Sequence, residues 1–120
     1  MEEKIASNFA NAMTTEELKE AIFDEVNERD INSWHGITKD NIDQLLVEPT
    51  VIELMDVLGQ RNEYWLVLDE QPGDLVNGYQ VVYDEREDMF GLATKTTVES
   101  KEIGLLVGLY GSFIDTLDNM

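Results

Sequence analysis

A chain of 120 residues has the length of one domain and is too short for two with separate cores, and its 26 acids against 8 bases give a net charge of −18 at neutral pH. Such a charge repels nucleic-acid phosphates and anionic lipid, so the reading excludes both as direct partners. With no cysteine in the chain, thiolate chemistry and cysteine-ligated zinc are excluded, and a reducing compartment is favoured.

Hydrophobic residues make up 42% of the chain and recur periodically, which argues against disorder despite the charge. The acids are spread from Glu2 to Asp118 instead of forming a tail, so they belong to a folded surface. The opening residues Met1 to Ala6 lack the basic and apolar blocks of a signal peptide. The most apolar stretch, Ile103 to Ile114, is broken by three glycines and falls short of the roughly 20 residues of a membrane span. The expectation is a single cytoplasmic domain over residues 1–120.

Taken in chain order, Ile5, Phe9 and Met13 have the spacing of a short amphipathic helix over residues 3–13. Thr14 with Glu17 three residues later is a capping box, predicting a helix from Thr15 to about Glu28 that buries Leu18, Ala21, Ile22 and Val26. A polar loop with Trp34 and His35 follows. A third helix is expected from Thr38, burying Ile42, Leu45 and Leu46, and Pro49 should end it. Pro49 also suits the first turn of a fourth helix carrying Val51, Ile52, Met55 and Leu58, with Gly59 as its stop.

Beyond Gly59 the pattern changes to strands: Tyr64–Leu68, Tyr79–Tyr83 and Met89–Lys95. Turn chemistry at Gln71–Asp74 and Asn77–Gly78 separates the first two, and Asp84–Asp88 joins the last two. A final helix is predicted from about Glu99 to Leu117. Its glycines Gly104, Gly108 and Gly111 would form a strip without side chains, suited to close packing on the sheet. The fold class expected is therefore α+β: a helical N-terminal half, a three-stranded antiparallel β-meander, and a C-terminal helix packed on the sheet.

Catalytic patterns are missing. His35 is the sole histidine and has no evident proton-transfer partner; as a single loop residue it is more often a surface or capping side chain. Tyr110-Gly111-Ser112-Phe113-Ile114 lacks the full nucleophile-elbow pattern. Asp84-Glu85-Arg86-Glu87-Asp88 lacks the alternating ligands of a calcium loop. The expectation is a protein without catalysis, cofactor or metal, acting through a partner.

Meander topology brings Glu63, Asp84, Glu85, Glu87 and Asp88 to one end of the sheet. A last helix running back along the third strand would add Asp115 and Asp118 there. This acidic edge and Trp34 in its polar loop are the candidate partner-binding residues. The acidic face of the second helix, with Glu16, Glu20 and Asp24 in like-charge i,i+4 pairs, is consistent with a cation-rich partner too, although a solvated face is the commoner explanation.

The stretches Tyr64-Trp65-Leu66-Val67-Leu68, Phe90-Gly91-Leu92-Ala93 and Gly108-Leu109-Tyr110-Gly111-Ser112-Phe113 look like those of small bacterial proteins. In size, acidity and lack of a catalytic motif, the chain resembles the immunity proteins of bacterial toxin systems. That resemblance implies a single-domain inhibitor that occludes a basic toxin, a nuclease being one kind. The alternative is a non-catalytic cytosolic adaptor or structural protein whose acidity serves solubility. Monomer and homodimer both remain open.

Overall fold

The computed structural model describes residues 14–31, 37–69 and 79–120. The helix expected over residues 3–13, the Trp34–His35 loop and the turns expected at 71–74 and 77–78 lie outside them.

Helix α1 spans Thr15–Glu28, as its capping signal predicts: the Thr14 hydroxyl accepts from the Glu17 N–H, and the Glu17 carboxylate accepts from the Thr14 N–H. Leu18, Ile22 and Val26 are buried at i, i+4, i+8, but Ala21 is exposed, so the buried stripe is narrower than expected.

The next expectation fails. In place of two further long helices there is a four-residue helix, α2 (Ile42–Leu45), followed directly by strand β1 (Leu46–Met55). Thr50, Val51 and Ile52 are β-branched, stiff at χ1 and better suited to a pleated surface than to a helix. Pro49 is tolerated because the β1–β2 register shifts between Leu46 and Thr50, and a bulge needs no ladder donor there. Gly59, the expected helix stop, is a turn residue at φ 82. There the Asp56 carboxylate accepts from the Leu58 and Gln60 N–H groups, 2.9 Å each, and turns the chain into β2 (Arg61–Asp69).

Strands β3 (Gln80–Asp84) and β4 (Met89–Val98) occupy the other two strand positions expected from sequence and pair antiparallel after β2. They are the middle of a larger sheet. Residues Lys101–Gly111, expected in the last helix, form strand β5, and only Phe113–Asp118 is helical, as α3. The five strands close into a barrel in sequence order, antiparallel throughout except where β1 meets β5 in parallel at Met55 and Leu105. The helical N-terminal half, the three-stranded meander and the long C-terminal helix are thus corrected, among the described residues, to a closed five-stranded barrel with three short helical elements.

The glycines explain why β5 is a strand. Gly108 lies opposite Leu92, Leu109 opposite Gly91 and Gly111 opposite Phe90, so Val107 and Tyr110 are extra residues that bend the strand. A side chain on Gly91 would run into the carbonyl oxygen of Gly108, and one on Gly104 would meet Leu54. Of the three glycines expected to allow close packing, Gly104 faces a neighbouring strand in this way and the Gly108 carbonyl is the group that Gly91 approaches; the contacts run strand to strand and not from helix to sheet.

Two cores result. One draws Leu54, Tyr64, Val82, Ala93 and the partly buried Leu106 from all five strands, which marks it as the barrel interior. The other lies outside β2, β3 and β4, where Val67, Val81, Tyr83, Phe90 and Leu92 meet Leu18, Ile22 and Val26 of α1 and Phe113, Ile114 and Leu117 of α3. Strand β3 is buried on both faces because it is shared by the two cores.

Candidate functional site

The acidic end expected from topology does form, but most of its acids are engaged in building it. Trp65 pairs with Tyr83, so Glu63 falls beside the β3–β4 hairpin, and Arg86 fastens the hairpin to β2 by donating to the Asn62 side chain at 2.8 Å. Asp84 is buried; its Oδ1 accepts from the Arg86 N–H at 3.0 Å, from Arg86 Nε at 3.2 Å and from the Glu87 N–H at 3.4 Å. Asp84 therefore shapes the turn and does not present a carboxylate to a partner. Glu85 is half-buried and accepts from Trp65 Nε1 at 3.3 Å. Asp88 sits at φ 54 and accepts from the Tyr83 hydroxyl at 2.6 Å. Burial, followed by that hydrogen bond to Asp88, pushes the Tyr83 phenol well above its ordinary value.

Asp115 and Asp118 lie on α3. Because β5 ends beside Phe90, α3 starts at the hairpin end, so Asp115 reaches the region expected for it. It belongs to a first helical turn, where the dipole favours an acid, and not to the last turn of a long helix. Arg29 donates to it at 3.0 Å, and the Ser112 side chain adds a second hydrogen bond. Together these hold its carboxyl below the usual aspartate range. Asp118 ends α3 and is half-buried. Of the acids expected at this edge, Glu63, Glu87 and Asp88 are exposed. Trp34 lies outside the described residues.

Glu25 and Arg29 at the end of α1 complete this region. Glu25 accepts from the Phe113 and Ile114 N–H groups, each at 3.2 Å, and from Arg29 at 3.0 Å. Its carboxylate thus caps the N-terminus of α3 from a different helix.

At the other end of β1 and β2, where Leu46 pairs with Leu68, the sequence reading missed a groove of about 610 Å³. Helix α1 forms one wall, and α2 with the first residues of β1 forms the other; Ile22, Val26, Ile42, Leu46 and Val67 supply the apolar floor. Phe23 stands at the mouth with 63% of its surface in solvent. Lys19 bonds to Glu48 at 2.9 Å and tethers the two walls; that bond holds the Lys19 ammonium above its ordinary pKa. Glu16, Glu20, Asp43 and Glu48 outnumber Lys19 and Lys39 around the rim. The one available signal was Phe23, an apolar residue beside the buried stripe of α1 and out of phase with it. The opposing wall was invisible while Thr38–Glu48 was read as one helix, because α2 ends at Leu45 and β1 begins at Leu46.

Among the described residues, no three acidic or histidine side chains converge in a way suited to holding a metal ion, and no helix is long and apolar enough to cross a membrane. Comparison with protein-family models, with curated proteins and with solved structures returned no match, so the surfaces above are interpreted from this chain's own residues.

Proposed function

We propose that this protein is a binding protein that holds a basic protein partner against its acidic surface, as an inhibitor of the immunity type does when it occludes a toxin. The observation supporting this reading is the excess of exposed carboxylates on a well-packed barrel. Lys19, Arg29, Arg61 and Arg86 engage Glu16, Glu48, Glu25, Asp115, Glu53 and Asp84, and many acids remain beyond those pairs. A surface of one sign attracts partners of the other, speeds their encounter and rejects anions.

The resemblance to immunity proteins supplies the kind of partner, a basic toxin domain, and cytoplasmic action belongs to the same proposal. The test is capture from the host's extract on immobilised protein, followed by an activity assay of whatever is retained. Retention of one basic protein at low ionic strength, its release by salt and stoichiometric loss of its activity are expected. A broad, weakly held set of basic proteins with unaltered activities would contradict the proposal.

A further inference from the structure

We infer that the groove between α1 and β1 receives a single amphipathic helix bearing lysine or arginine from that basic partner. This rests on the binding reading above and adds the site and the partner's docking element. Three observations favour such an occupant.

The floor is apolar and Phe23 is mostly hydrated at its edge, the arrangement of an anchor pocket whose desolvation awaits a partner. Acids outnumber lysines on the rim, and Lys19 is already held by Glu48 and Glu16, so the charge left to a visitor comes from Glu20 and Asp43 against Lys39. Basic side chains flanking an apolar stripe would complement it. Pro49 stands in the β1 wall and has no N–H, so that wall is poorly suited to adding an extended strand; side-chain packing by a helix is the mode that fits.

The probe is a fluorescein-labelled leucine–lysine peptide of about 14 residues, patterned to put its leucines on one helical face. A scrambled peptide of equal composition is its control, and both are titrated by fluorescence anisotropy. The patterned peptide should bind, and the scrambled one should bind at least about tenfold more weakly, because only an aligned apolar face fills a groove. Phe23→Ser should lower affinity for the patterned peptide by about tenfold or more, the loss expected of an apolar anchor. Its circular dichroism and melting should be unchanged, since Phe23 is largely exposed.

Glu20→Lys with Asp43→Lys should weaken binding further than Glu63→Lys with Glu87→Lys at the opposite barrel end. Equal binding of the two peptides, or loss only in the Glu63/Glu87 variant, would overturn the groove while leaving a basic partner in place. Tighter peptide binding after deletion of residues 1–13 would assign the groove to the chain's own N-terminal segment and overturn it as well. No binding of either peptide would overturn the groove, whereas the binding reading itself stands or falls on the capture experiment above.

Discussion

Gly91 and Gly59 are both turn or contact glycines by position, yet they are held for different reasons. Gly59 sits at φ 82 with open space where a Cβ would go, so Gly59→Ala carries only the left-handed backbone penalty, about 1 kcal/mol. Gly91 has no unusual φ, but its Cβ would meet the Gly108 carbonyl and the Leu109 side chain. Two backbones would have to separate inside a closed barrel, and Gly91→Ala should cost about 3 kcal/mol. Urea denaturation of the two variants checks this order; equal losses would show that β4 and β5 do not approach as closely as described. The same comparison bears on the turn at Glu99 and Ser100, which takes φ 51 and 69 with neither residue a glycine. With no Asn-Gly pair to announce it, this two-residue hairpin was hidden in the sequence, and β5 was lost with it.

Among the elements, α1 was legible because its signals are local: a capping box and three apolar residues on one stripe. Strands β2, β3 and β4 were legible because apolar, aromatic and β-branched runs alternate with turn residues. Strands β1 and β5 were not. Their apolar residues are spaced compatibly with either period, and Pro49, Gly59 and the β5 glycines serve as helix punctuation or as strand bulges and turns. Only pairing with neighbours distant in sequence decides, as when Thr50 meets Leu66 and Leu92 meets Gly108. The acidic end was legible from hairpin topology, but the engagement of Asp84 and Glu85 depends on side-chain geometry that spacing does not reveal.

The contact between α1 and α3 yields a pH-dependent prediction. Arg29 depresses the Asp115 pKa, so this pair's contribution is present above the ordinary aspartate value of 3.8 and is lost as pH falls through the lowered folded value. Arg29→Met should therefore melt below the parent protein at pH 7, with the gap narrowing as pH falls below 3.8. Both partners are about half exposed, so the gap should be small. A gap that stays the same in acid would show that Arg29 acts through packing alone.

For the whole molecule, charge dominates. Net −18 on one small barrel exceeds what the ion pairs of Lys19, Arg29, Arg61 and Arg86 offset, and those pairs lie mostly at the surface. Salt screens repulsion across the surface more than it weakens the partly buried Asp84–Arg86 contact, so the melting temperature should rise with sodium chloride. A steady fall would mean that attractive pairs govern stability.

The groove and the acidic hairpin end lie at opposite ends of β1 and β2, so a bound partner must reveal where it sits. The most direct measurement is amide hydrogen exchange of the full chain, alone and with its captured basic partner. The account predicts protection concentrated on Glu16–Asn27 of α1 and on Val47 and Glu48 of β1, with little change in the Glu85–Asp88 hairpin. Protection confined to that hairpin and to Arg61–Glu63, with α1 unaffected, would contradict it.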